Sequence, residues 1–365
     1  MTHAPTETRG RRSRRAPSGE GQARPRRRRV WRWIALSLAL LVLIGGGIGY
    51  WLYSDLNGNI KGVDINETIG DDRPEKLPTS GQNILVLGSD SRSGDNAALK
   101  TGKIAGARSD TALVMHIPEG RKEAVAVSIP RDTLVTRPAC SKQDGSEVPA
   151  AERVMFNSIY SQVGPACVVK TVEQMSGIRM DHYMEIDFAG FKDLVDAIGG
   201  VTVTVDQDIR DTSSGLDLTA GTHKLDGTEA LAFVRTRHGV GDGSDLGRIG
   251  LQQQFMLALL SEIKRQDLFG SPTKTFTIAD QLTSALTTDS ELASLTKLAE
   301  FGRSLNGVDP STMDTIMLPV AYDKQDPNRV VAAQPQADEL WKALREDKDV
   351  PESARKSPAK GGGSS

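Results

Sequence analysis

Three short segments carry the residues best suited to chemistry, and each borders an apolar run. Gly88-Ser89-Asp90-Ser91-Arg92 follows the run 84–87, Arg108-Ser109-Asp110-Thr111 precedes 112–117, and Pro130-Arg131-Asp132-Thr133 follows 124–129. A second cluster lies downstream, where Arg235, Arg237 and Arg248 surround Asp242, Gly243 and Asp245. Arginines one residue apart point the same way on an extended segment. Three guanidiniums are expensive to hold together unless an anion lies between them, and the planar arginine fork suits phosphate oxygens. Two aspartates suit a hard cation such as Mg²⁺, which takes one or two carboxylates plus substrate phosphates. Arginines and Mg²⁺ together are the parts for phosphoryl transfer, where catalysis is positioning and charge neutralisation. The plainer alternatives are aspartates that only support turns and a solvated basic face paired with local acids. His238, in a glycine-rich loop, is a candidate general base, although such a histidine is more often a surface residue. None of the five histidines is spaced as HExxH, which argues against a zinc hydrolase, and there is no obvious Ser-His-Asp triad. Two cysteines are too few for a cysteine-rich zinc module or a disulfide-dense miniprotein.

These clusters meet only if the apolar runs are neighbouring strands. Each run is short, β-rich and bounded by turn residues, so each reads as a buried strand. In an antiparallel meander the end of the first, the start of the second and the end of the third share one edge of the sheet. Asp90, Asp110 and Arg131 then converge, whereas a parallel crossover would separate them. Further strands are expected at 183–186, 201–205 and 316–320. Asp187 is placed to cap a helix with Phe188, Phe191, Val195 and Ile198 on one face and Gly199 as its stop. Asp226-Gly-Thr-Glu229 resembles a capping box opening a helix through 230–234. Leu246, Ile249, Met256, Leu260 and Ile263 mark one face of a longer helix, and Leu292, Leu295 and Leu298 mark another. Interleaved strands and helices predict an α/β or α+β sandwich, with helices packed on a central sheet.

The chain has 365 residues, room for one large domain or two small ones with a sizeable core. Its net charge of −2 hides an asymmetry: eleven arginines against Glu7 and Glu20 give residues 1–33 a balance of +9, and the remainder balances at −11. Residues 34–53 are an uncharged, apolar run flanked by Trp31, Trp33 and Trp51. About 20 residues at roughly 1.5 Å each span a bilayer core, and tryptophans belong at its two interfaces. The arginines precede the run, so the positive-inside rule predicts a single-pass anchor with residues 1–33 as a basic, disordered cytoplasmic tail and the rest extracytoplasmic. The sequence Tyr50-Trp51-Leu52-Tyr53-Ser54-Asp55 is a poor signal-peptidase site, which favours an uncleaved anchor in membrane lipid. The basic run reads as a topology signal that also touches anionic lipid, not as a nucleic-acid site. An oxidising exterior predicts a Cys140–Cys167 disulfide. Residues 54–80 are polar and read as a linker, 81–325 as the catalytic domain, 326–345 as a terminal helix, and 346–365 as a disordered tail.

The ordered series NILVLGSDSR at 83–92, RSDT at 108–111, SIPRDT at 128–133, DAIGGVTV at 196–203 and LDGTEALAFVRTRHGVGDGSDLGRI at 225–249 resembles the LytR-CpsA-Psr family of cell-envelope proteins. The likeness covers 83–265 best and is looser to about 325. It implies an α/β/α sandwich, with a central mixed sheet flanked by helices and an apolar groove or tunnel for a polyprenyl chain. It implies a phosphotransferase that moves a glycopolymer from a polyprenyl-pyrophosphate carrier onto a peptidoglycan acceptor, typically at a muramic acid 6-hydroxyl. Carried over by motif, Asp90 and Asp110 would hold Mg²⁺, and Arg131, Arg235, Arg237 and Arg248 would grip the pyrophosphate. Arg108 and Asp245 match motif positions expected to contact substrate.

The chain departs from the family pattern in two places. Residues 93–107 read as a long insertion between Asp90 and Asp110. Met155 stands where the family often has a lysine, two residues before an Asn-x-x-Tyr segment, here Asn157-Ser-Ile-Tyr160. Two other function classes remain open on the sequence: a pyrophosphatase using the same site, and a non-catalytic envelope scaffold or transcriptional attenuator. An outward-facing domain argues against direct contact with nucleic acid.

Overall fold

The computed structural model describes residues 25–89, 109–120, 123–142, 144–236, 245–266, 271–305 and 307–358. The chain divides into two compact units, Met1–Leu52 and Tyr53–Ser365. Helix α1, Pro25–Asn59, is the only helix among the described residues long and apolar enough to cross a membrane, with mean hydropathy 2.0 in Val30–Asn59. It is longer than the expected 34–53, because the arginine-rich residues 25–33 continue the helix and do not belong to a disordered tail. Residues 1–24 lie outside the described residues.

The second unit is built on a seven-stranded mixed sheet. Its strands are β1 Lys61–Val63, β2 Gln82–Ser89, β3 Ser109–Ile117, β4 Val125–Ile129, β5 His182–Asp187, β6 Leu286–Asp289 and β7 Asp314–Met317. Across the sheet they run β1-β6-β5-β2-β3-β4-β7. The expected meander is present: β2 pairs antiparallel with β3, and β3 with β4. Strand β2 is central and nearly continuously apolar, as a strand covered on both faces must be; Ile84, Leu85 and Leu87 are at most 1% exposed. The 201–205 strand forms but does not join this sheet, pairing instead with Gly221–Leu225. The 316–320 run is split at Pro319, so Val320–Tyr322 leaves the sheet to pair with Val330–Ala332.

Side-chain alternation sends successive β2 residues to opposite faces. Leu85 and Leu87 join a core with the helix Phe156–Gln162, α2 Pro165–Ser176 and α7 Gln336–Arg345. Ile84 and Val86 face the other layer, which holds α3 Phe188–Ile198, α4 Gly227–Arg235, α5 Asp245–Arg265 and α6 Pro272–Ala285. The result is the expected α/β/α sandwich.

Both predicted N-caps are in place. Asp187 Oδ1 accepts from Gly190 N at 2.8 Å, and α3 ends at Gly199 in the left-handed region with φ 87°. Asp226 Oδ1 accepts from Thr228 N and Glu229 N at 2.9 Å, while Glu229 Oε2 accepts from Asp226 N at 3.1 Å, a reciprocal capping box. Gly227 is required where α4 meets α3, because a Cβ there would collide with the Lys192 carbonyl. The Cys140–Cys167 disulfide forms as expected.

The boundaries drawn from the sequence need correction. Residues 54–80 are not a bare spacer: 54–59 complete α1, 61–63 form β1 of the main sheet, and Ile65–Ile69 is a helix capped by Asp64. Arg73 is buried against Glu173, with Nε 3.0 Å from Oε2, and donates to Met180 O at 2.8 Å. Elements of three and five residues are too short to show a period, though Ile65 and Ile69 of the helix are buried. The last helix begins at Gln336, not near 326. The expected tail is ordered to residue 358: Val350 and Ala354 are buried, and Ser357 Oγ bonds both N and O of Val320. Residues 359–365 lie outside the described residues.

Candidate active site

The C-terminal end of β2, the start of β3 and the end of β4 lie on one edge, as the meander requires. Gly88 pairs with Thr111 and Ser89 with Ser109, so Asp110 is an extra residue at a β-bulge. Bulges re-aim the chain beside functional sites. Beneath this edge lies an apolar cavity of about 170 Å³ between the sheet and α3, α4 and α5. Val86, Leu113, Phe188, Leu231, Phe255 and Met256 are among its walls, and Gly88, Thr111, Ser128, Gln252 and Gln253 bring polar or small groups to it.

The predicted residues flank that lining. Arg131 follows Ser128 by three residues, Arg235 follows Val234 directly, Arg248 precedes Gln252 by one helical turn, and Asp110 precedes Thr111. Arg235 ends α4, where its charge complements the helix dipole. Its Cζ lies 5.4 Å from the ring centroid of Phe188, a cavity residue, so the guanidinium sits over the apolar wall. Gln252 Nε2 donates to Val234 O at 3.0 Å and pins the helix end that carries Arg235. Next along the chain, Thr236 is buried, and its hydroxyl donates to Ala232 O at 2.8 Å. Gln253 Nε2 donates to Ser128 Oγ at 3.1 Å, tying α5 to β4. Arg248 is 4% exposed. Arg131 lies 3.5 Å from Asp132, which also meets Arg329 at 3.3 Å.

Asp90, Arg108, Arg237 and His238, with the whole of the 93–107 insertion, lie outside the described residues. The backbones of Asp110 and Asp245 are described and their side chains are not. For Mg²⁺, the fit rests on strand register: Ser89, the last residue of β2, pairs with Ser109, the first of β3, so the backbone of Asp110 stands at the bulge beside the end of β2. Two carboxylates beside arginines are a donor set that would suit Mg²⁺ together with phosphate oxygens.

A separate cluster of His182, Asp289 and Glu291 occurs at the opposite end of the sheet. Its Asp289 already accepts from Tyr183 N at 3.0 Å through Oδ2 and from Glu291 N at 2.9 Å through Oδ1. Asp289 therefore serves the local backbone. Sequence reasoning missed Phe188, which reads as ordinary core. It also missed Gln252 and Gln253, whose signal is two amides interrupting the apolar face of α5.

Residues 52–346 match the model of the LytR_cpsA_psr family. The chain is 36% identical over 203 residues to the probable cell wall biosynthesis protein LcpB of Corynebacterium glutamicum, covering 54% of this chain and 46% of that protein. The matched region thus spans about half the length of that relative. It is 32% identical over 228 residues to the polyisoprenyl-teichoic acid–peptidoglycan teichoic acid transferase TagU of Bacillus cereus, covering 60% of this chain and 67% of that one. Among solved structures, the LytR-Csp2A-Psr enzyme from Actinomyces oris superposes with a TM-score of 0.58 at 25% identity, covering 78% of this chain and 95% of that one.

Proposed function

The chain belongs to the LytR_cpsA_psr family, and from that premise we propose that it is a membrane-anchored phosphotransferase that moves a cell-wall glycopolymer from a polyprenyl-pyrophosphate carrier to peptidoglycan. The observation that carries this reading is the apolar cavity whose lining residues adjoin Asp110, Arg131, Arg235 and Arg248. An apolar cavity beside cationic groups fits a molecule that is lipid at one end and diphosphate at the other. Burial of the prenyl carbons contributes about 0.8 kcal/mol per CH₂, and the arginines meet the phosphates.

The acceptor hydroxyl oxygen attacks the phosphorus on the polymer side, and its proton ends on the departing phosphate. The bond from that phosphorus to the bridging oxygen breaks, and polyprenyl phosphate leaves with the electron pair. Arg131, Arg235, Arg237 and Arg248 stabilise the charge that gathers on the leaving phosphate. Asp90 and Asp110 would hold Mg²⁺, which would supply further charge neutralisation when bound. Phe188 keeps water from one side of Arg235, which strengthens its pull on an anion. Arg108 and Asp245 contact the substrate at the rim.

The domain works outside the cytoplasmic membrane, with the N-terminus inside. The arginines before the apolar helix favour that orientation, and a disulfide in the domain fits an oxidising exterior.

The test uses the full chain in detergent with a synthetic polyprenyl-pyrophosphoryl disaccharide, following polyprenyl phosphate release with and without Mg²⁺ and peptidoglycan fragments. Release that needs both supports the proposal. Release without acceptor would make the protein a pyrophosphatase, and tight binding without release would make it a scaffold.

A further inference from the structure

On the face of the sheet away from the cavity lies a buried polar network that the transfer chemistry does not use. Glu185, on β5, is 7% exposed. Its Oε1 accepts from the Tyr160 hydroxyl at 2.7 Å and its Oε2 from the Tyr183 hydroxyl at 2.6 Å. Among the described residues, no lysine, arginine or histidine pairs with it. Burial first, and then the Glu185 charge, hold both phenols above the ordinary tyrosine value, so both remain neutral donors. Glu185 pairs with Leu87 in the parallel ladder between β5 and β2, two residues before Ser89, the buried last residue of β2.

Tyr160 belongs to the helix Phe156–Gln162, whose first turn is tied to a second part of the site. Phe156 N donates to Thr133 O at 2.9 Å, and Asn157 N donates to Arg131 O at 3.1 Å. One short helix therefore holds both β5, the strand paired with the end of β2, and the loop that carries Arg131. On the β3 side the ladder is irregular at that edge, with a register shift between Gly88 and Ser89, so the end of β2 is held in regular pairing by β5 alone. Burying a carboxylate is costly, and exchanging buried ionic groups for apolar ones often leaves stability unchanged or improves it. Stability alone gives no reason to keep Glu185 among leucines and valines.

We propose that Tyr160 and Glu185 are positioning residues that lock the Ser89 strand end to the Arg131 loop, so that the aspartate edge and the arginine clamp meet in one geometry. The proposal rests on the function proposed above. It acts through the backbone, and neither residue touches the substrate.

The test compares the full chain with its Tyr160→Phe, Glu185→Gln and double variants, using donor turnover and amide hydrogen exchange. Misplacement of reacting groups by about an ångström costs up to roughly 100-fold in rate, so each single variant should lose about 10- to 100-fold in kcat. KM for the lipid donor should stay within about twofold, because the loss is confined to the transition state. The double variant should be no worse than the single ones, as for residues acting in one network. Amide exchange in 82–89 and 131–134 should rise in Tyr160→Phe, with the melting temperature little changed. Full kcat in Tyr160→Phe, additive losses, or a matching rise in KM would overturn the proposal. If the unmutated chain turns over no donor, the function above fails, and exchange decides alone: a local rise supports the lock and unchanged exchange overturns it.

Discussion

The two faces of one sheet are built for different tasks. On one, Leu85, Leu87, Val114 and Val127 meet Phe156, Val168, Leu340 and Trp341, all at most 2% exposed. On the other, Val86, Leu113 and Ile186 face α3, α4 and α5 across a cavity of about 170 Å³. The same strands supply both, since alternate residues point to opposite sides. What differs is residue size and polarity near the edge. Gly88, Thr111 and Ser128 stand where the cavity approaches the arginines. One face is filled, and the other is left incompletely filled.

Substitutions should divide along that line. Trp341→Ala on the filled face should cost about 3–5 kcal/mol of unfolding free energy, measurable by denaturant titration. Loss of the Cys140–Cys167 bond, whose partners are 27 apart in sequence and lie in the same core, should cost about 3.5 kcal/mol in the chain-entropy account. Unchanged stability of a Cys140→Ser, Cys167→Ser protein would remove the disulfide from the comparison. On the cavity side the loss should be functional: Arg235→Ala should lower transfer by about 10²-fold and leave the melting temperature near its original value. Leu259→Trp, which fills part of the cavity, should raise KM for the lipid donor by about 10-fold, the effect of losing one or two kcal/mol of apolar contact. A large fall in stability in either cavity-side variant would break the division.

The smallest effect concerns acid stability. Burial pushes the Asp289 carboxyl up, but the His182 side chain and the backbone N–H groups of Tyr183 and Leu292 outweigh it and hold it below its ordinary value of 3.8. The folded carboxyl thus binds its proton less readily than the unfolded one. Its stabilisation is fully present above about pH 3.8 and is lost as pH falls through the lower folded value. Asp289→Asn should flatten the acid-side decline in stability and leave transfer near neutral pH unaffected.

Much of this was legible in the sequence, because the signals were local. The meander followed from three short apolar runs, and the helix starts followed from Asp187 and Asp226. What escaped was tertiary. A three-residue strand such as Lys61–Val63 has no period to read, and it joins the sheet only because Leu286–Asp289 lies beside it. The strand at 201–205 was readable as a strand, but its partner was not. The need for an apolar groove followed from the family resemblance and the chemistry of a prenyl chain, whereas its walls come from six separate segments. Tyr160 was visible only as part of a motif, and nothing near it in sequence pointed to Glu185.

The central claim is that the unfilled face holds the lipid while the arginines at its mouth hold the phosphates. Binding of farnesyl phosphate, farnesol and inorganic phosphate to the full chain by titration calorimetry, repeated with Leu259→Trp and Arg235→Ala, tests it most directly. The account predicts that farnesyl phosphate binds at least tenfold more tightly than either fragment. Leu259→Trp should weaken farnesol and spare phosphate, and Arg235→Ala should do the reverse. Equal binding of all three, or farnesyl phosphate binding that neither substitution changes, would contradict it.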